Sequence, residues 1–117
     1  MYIRLADQKP VLWVGSAQRA LRELPSAVRK ELGIDLERVQ SGRMPRDWKA
    51  MSSVGSGVFE IRVRVGGAFR LMYIAKFTEG IYVLHVFQKK SRRTAGIDID
   101  LARTRLKAVQ RFRAKEY

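Results

Sequence analysis

Hydrophobic and polar positions change period twice along this chain. Val11–Val14 is a short apolar run that reads as a first strand, ended by Gly15-Ser16, with Ser16 placed to cap a helix. Leu21, Leu24, Val28, Leu32 and Val39 then recur at three-, four- and seven-residue spacings, the stripe of helices with one buried side. Pro25 interrupts the stripe and Ser26 can cap a second helix, so the pattern predicts helices over 17–24 and 26–40, or one bent helix. Residues 42–57 have no clear period; with Pro45, Gly55, Gly57, Arg43, Arg46, Trp48 and Lys49 they read as a loop long enough to have a role.

From Phe59 the period is two. Phe59, Ile61, Val63 and Val65 alternate with Glu60, Arg62 and Arg64; Gly66-Gly67 makes a tight hairpin; Phe69, Leu71, Tyr73, Ala75 and Phe77 alternate with Arg70, Met72, Ile74 and Lys76. Thr78-Glu79-Gly80 turns into Ile81–Phe87, apolar at nearly every position and therefore central. Asp98 or Asp100 can cap a last helix, with Leu101, Ala102, Leu106, Val109 and Phe112 on its apolar side; Arg105 falls inside that stripe and must reach its edge or meet an acid. The expected fold is α+β, in the order β-α-α-β-β-β-α. A mainly antiparallel sheet has helices packed on one face and Glu60, Arg62, Arg64 and Arg70 on the other, partly open face.

Charge gives that open face a meaning. The 117 residues carry a formal net charge of +13, unevenly: residues 1–57 hold 10 Lys/Arg against 6 Asp/Glu, residues 58–117 hold 14 against 5. A field of this sign points to nucleic acid first, then an anionic membrane surface, then an acidic protein. An apolar fraction of 46% supports a core, and the length suits one domain, 1–117. Without cysteine there is no disulfide framework, thiolate metal site or cysteine nucleophile. No apolar run reaches the roughly 20 residues of a membrane span, and Met1-Tyr-Ile-Arg-Leu-Ala-Asp lacks a signal-peptide hydrophobic region, so a cytoplasmic protein is expected.

The usual catalytic sets are missing. His85, the one histidine, sits mid-strand among apolar residues and reads as a hydrogen-bonded sheet residue. No acid, histidine or cysteine cluster has metal-ligand spacing, and there is no P-loop or nucleophile elbow, so no cofactor is expected. Cations remain. Arg62 and Arg70 lie on adjacent strands and can converge, while Lys89 and Lys90 close the third strand and Arg92 and Arg93 follow. Arginine's planar fork suits phosphate. RNA can be cut by its own 2′-hydroxyl, with fixed cations stabilising the phosphorane and a lysine of lowered pKa moving a proton. The bland reading stands beside this one: Arg62, Arg64 and Arg70 as a solvated sheet face, and Lys89–Arg93 as a solubilising edge device. Trp13 reads as core; Trp48 is either core or a platform for base stacking.

The run Val58-Phe-Glu-Ile-Arg62, the glycine turn, Phe69-Arg-Leu-Met-Tyr73 and Leu84-His-Val-Phe-Gln-Lys-Lys90-Ser resembles the RelE/HigB-type toxins of bacterial type II toxin–antitoxin systems, most closely their phage-derived Gp49-like branch. The resemblance spans nearly the whole chain, and the family shares the β-α-α-β-β-β-α order. It implies a metal-independent mRNA endoribonuclease that inhibits translation, often on the ribosome, and is neutralised by a small antitoxin, often a helix-turn-helix DNA-binding protein. It assigns catalysis to Arg62, Arg70, Lys89 and Lys90. Arg64, Lys49, Arg92 and Arg93 are the expected RNA-binding residues around them. Many ribonucleases of the family place a tyrosine or histidine near the C-terminal helix; residues 95–101 contain neither. The alternative is a non-catalytic ParE-like gyrase poison or a basic nucleic-acid-binding regulator.

Overall fold

The computed structural model describes residues 8–117, so the N-terminal stretch that lacks a signal-peptide pattern lies outside them. The elements are β1 (Val11–Trp13), α1 (Ala17–Arg22), α2 (Ser26–Gln40), β2 (Trp48–Ala50), β3 (Val58–Arg64), β4 (Ala68–Ile74), β5 (Ile81–Lys89) and α3 (Gly96–Glu116). The sheet order is β1-β5-β4-β3-β2, antiparallel except where β1 pairs with β5. The α+β class and the mainly antiparallel sheet are as the pattern predicts; β5, expected to be central, is an interior strand between β1 and β4, with β4 in the middle.

Two features differ. The segment read as a loop contains β2, whose three exposed residues pair Lys49 with Glu60 and Trp48 with Ile61. The helices also do not share one face. Val28, Leu32, Leu36 and Val39 of α2 pack with Ile61, Val63, Leu71, Tyr73 and Val83, whereas Ala102, Leu106 and Val109 of α3 pack with Val58, Met72, Ile74, Tyr82 and Leu84 on the opposite side. The physical reason is that β4 and β5 are apolar on both sides, so an uncovered second face would expose Met72, Ile74 and Leu84 to water.

Several local expectations shift as well. Ser16 makes no side-chain cap, its hydroxyl instead accepting from Arg105 Nη2 at 2.9 Å; Pro25, not Ser26, occupies the N-cap position of α2. Among the described residues Arg105 meets no acid; its Nη1 donates to the Leu84 carbonyl at 2.8 Å. Phe112 stays half exposed and lies edge-on to Tyr117. The β3–β4 connection relies on Gly66 and Gly67, at φ 65° and 156°, and it sets Arg62 directly opposite Arg70.

One irregularity governs the site. Met72 pairs with His85 and Tyr73 with Val83, so Leu84 is an extra residue in β5, a β-bulge. The bulge reverses parity along the rest of the strand. Val86 turns to the α2 side, while His85, Phe87 and Lys89 turn to the α3 side.

Candidate nucleic-acid interface

On the α3 side the sheet register is a grid of chemistry. Lys49, Glu60, Met72 and His85 form one row across β2–β5; Arg62, Arg70 and Phe87 form the next; Arg64, Ala68 and Lys89 form the third. Helix α3 covers only the apolar part. Beyond it, a groove of about 400 Å³ has Glu60, Arg62 and Lys89 at its floor, Lys49 and residues 50–53 as one wall, and Arg92, Arg93, Thr94 and Ile99 as the other. A shallower recess next to it is lined by Arg64, Arg70, Lys89, Lys90 and Arg92.

Glu60 is the centre of the groove. It is 2% exposed, its Oε1 lies 3.3 Å from Arg70 Nε, and its Oε2 has no hydrogen-bond partner among the described residues. Burial raises its pKa above the ordinary carboxylate value, opposed by the charges of Arg70, Arg62, Lys49 and Lys89. Arg70 is also 2% exposed; its Nη1 donates to the Phe69 carbonyl at 3.0 Å, and burial lowers its pKa despite Glu60. Two arginines opposed across a ladder repel, and Glu60 is the counter-charge that lets Arg70 sit there beside Arg62.

Lys89 joins the groove to the recess. Its Nζ donates to the Arg92 carbonyl at 2.5 Å, tying the segment after β5 back to the end of that strand. Its pKa is lowered by desolvation, then by Arg70 and Arg62. Lys90, one residue beyond the strand, reaches only the recess. Among the sequence-predicted site residues, the structure therefore gathers Lys49, Arg62, Lys89, Arg92 and Arg93 around Glu60 and sets Arg64 and Lys90 to one side. Arg70 lies beneath, committed to Glu60. The alternation in sequence puts Glu60 on this face without giving it a role; the available signal is one acid alternating with Arg62 and Arg64.

Flanking elements hold the walls. Asp35, buried on α2, accepts from the Arg46 backbone N–H and Nε, both at 3.0 Å, and so fixes the approach to β2. His85 Nε2 lies 2.7 Å from Asp98 Oδ1 in the first turn of α3, and its ring stacks on Phe87 at 4.6 Å. His85 is thus the hydrogen-bonded sheet residue expected, with burial the main influence lowering its pKa. Trp48 belongs to the opposite face from Lys49, edge-on to Phe59 at 5.4 Å, and takes no part in the groove. Among the described residues no group of three or more His, Asp or Glu has metal-site geometry, and no helix is long and apolar enough to cross a membrane.

Comparison with known proteins agrees with this geometry. The family described as phage derived protein Gp49-like (DUF891) matches residues 19–107. The structure is similar to that of a double arginine-to-alanine mutant of the Escherichia coli toxin RelE in the free state. That similarity has a TM-score of 0.61 and 19% identity, over 87% of this chain and 98% of that one. No curated protein matches the chain. Matched over most of its length by that model and folded like RelE, the chain belongs to the phage-derived Gp49-like family.

Proposed function

We propose that this protein is the toxin of a type II toxin–antitoxin system and cuts mRNA in the groove over Glu60. The observation that carries the reading is a buried carboxylate of raised pKa, one oxygen unpartnered, ringed by Lys49, Arg62, Arg70 and Lys89. Glu60 accepts the proton of a 2′-hydroxyl as that oxygen attacks the neighbouring phosphorus. Arg62, with Arg92 or Arg93, holds the non-bridging oxygens as charge builds on them. The phosphorus–O5′ bond breaks, and Lys89, whose pKa is lowered, gives its proton to the departing 5′-oxygen. The products are a 2′,3′-cyclic phosphate and a 5′-hydroxyl, a balanced transfer with no further reactant. Arg70 acts through Glu60 and is a positioning residue.

The test is purified protein on mRNA in EDTA, with and without ribosomes. Cleavage is expected from the wild type and lost in Glu60→Gln and Arg62→Ala. No cleavage by folded wild type, or undiminished cleavage by both variants, overturns the assignment. Ribosome dependence reads out from the same pair of reactions. The partner expected in the cytoplasm is a small antitoxin, of the helix-turn-helix type in this branch; co-expression of the adjacent gene should relieve growth arrest.

A second reading draws on Arg70 being buried and paired, which leaves fewer free cations for chemistry. It has the same face bind without cutting, as a gyrase poison or a nucleic-acid-binding regulator. A DNA-damage response on induction, without translation arrest, would favour it.

A further inference from the structure

A second basic cleft lies beyond the groove, on the outer side of the loop joining β2 to β3. It holds about 440 Å³ and is lined by Ser56, Lys76, Arg103, Lys107 and Gln110 over a floor of Leu106. Among the described residues no carboxylate lines it; Asp100 touches Arg103 from outside at 3.4 Å, with both side chains exposed. Arg103 and Lys107 are four residues apart on α3, about 6 Å along its axis, so they offer charge at successive turns of one face.

The cleft is built, not a chance spread of lysines. Gly55 lies so close to α3 that a Cβ there would strike Leu106 Cδ2. Gly57, at φ 83°, lets the stem of Lys76 cross the loop; a Cβ there would come within 3.0 Å of Lys76 Cδ. Arg103 Nε donates to the Ser53 carbonyl at 2.6 Å. Ser53 lines the reaction groove and Arg103 lines the second cleft, so the loop is a ridge with a cationic hollow on each side.

We propose that this cleft is a flanking-strand subsite, holding the phosphates of a single-stranded RNA as it leaves the groove over the loop. The inference rests on the reading that the groove takes RNA. It adds that the substrate is a continuous strand held on both sides of the loop, and that Lys76 and Lys107 serve affinity and not the chemical step. A polyanion is favoured over a protein partner because the two hollows adjoin and no acid among the described residues lines the second.

The experiment measures binding of 2′-O-methyl oligouridylates, which cannot be cut, at about three and about nine nucleotides, bracketing the strand length a short cationic groove can track. Wild type should bind the long probe at least tenfold more tightly than the short one. Lys76→Ser/Lys107→Ser should keep the short-probe affinity and lose that gain. For two lost phosphate contacts the salt slope on the long probe falls by about 1.4. Both lysines are exposed, so the melting temperature should hold. A length gain unchanged in the double variant overturns the proposal. So does unchanged RNA binding with loss of antitoxin binding, which would assign the surface to the protein partner. If wild type shows the Lys76- and Lys107-dependent gain yet cuts no mRNA, the cleavage reading falls and the subsite stands; if it cuts mRNA and the gain ignores both lysines, the reverse holds.

Discussion

Replacing Glu60 by Gln tests both the stability and the chemistry of the groove. The ion pair with Arg70 spans 3.3 Å. Two unit charges at that distance attract by about 5 kcal/mol at an effective dielectric near 20. The substitution removes this attraction and also relieves the desolvation of a buried carboxylate, which is worth several kcal/mol in the other direction. The guanidinium left behind keeps only its bond to the Phe69 carbonyl. Breaking one side of a buried pair costs about 3 kcal/mol, at the lower end of what such losses amount to. At about 4 °C per kcal/mol for a domain of this size, the melting temperature falls by about 12 °C. Glu60→Leu/Arg70→Met, which removes both charges, should recover most of that loss. Thermal unfolding followed by circular dichroism at neutral pH, run as a double-mutant cycle, measures the coupling. In parallel, Glu60→Gln should bind RNA at least as tightly as wild type, having lost a negative charge, while cleaving at least about a hundredfold more slowly. A Glu60→Gln protein as stable as wild type, or single-variant losses that simply add, would refute the pair as described. Cleavage that falls only in proportion to the folded fraction would refute the catalytic role.

Three further outcomes rest on other contacts. The cleavage rate should be bell-shaped in pH, rising as Glu60 ionises above the usual carboxylate range and falling as Lys89 loses its proton below the usual lysine range, with the acid limb absent in Glu60→Gln. Glu79, held chiefly by Arg113 at 2.6 Å, has its pKa lowered from 4.5 to about 2, so its stabilisation is present above pH 4.5 and is lost as pH falls toward about 2. Acid unfolding of Glu79→Gln should therefore be flatter over that window. Gly55→Val should push the loop off Leu106, lowering stability by about 1–3 kcal/mol in urea unfolding.

The strands β3 to β5 were legible because one side of β3 alternates with charge and β5 is apolar at nearly every position as far as Phe87; the α1–α2 break was legible at Pro25. β2 was not, since Trp48-Lys-Ala50 has no period of its own and becomes a strand only by pairing with β3. Helical spacing identifies the buried side of α3 but says nothing about which face of a sheet it meets. Arg70 and Glu60 are charged residues on a polar-looking face, which in sequence reads as exposure; the walls over that face, from residues 49–53 and 92–94, come from two distant segments. The distinction between Lys89 and Lys90 depends on the extra Leu84, and nothing in a run apolar but for His85 marks a bulge.

The parallel pairing of β1 with β5 also sets an order of assembly. Val11 lies beside Ile81, so β1 cannot be bound until some seventy residues have been added after it, a closure far costlier in entropy than either neighbouring hairpin. During synthesis the β3–β4 hairpin can form early, but Lys89, Arg92 and Arg93 are made later, and α3, whose Asp98 ties down His85, is made last. A ribosome that has not passed residue 99 therefore holds a chain without a complete groove, and the two cationic walls meet only after α3 has begun to emerge.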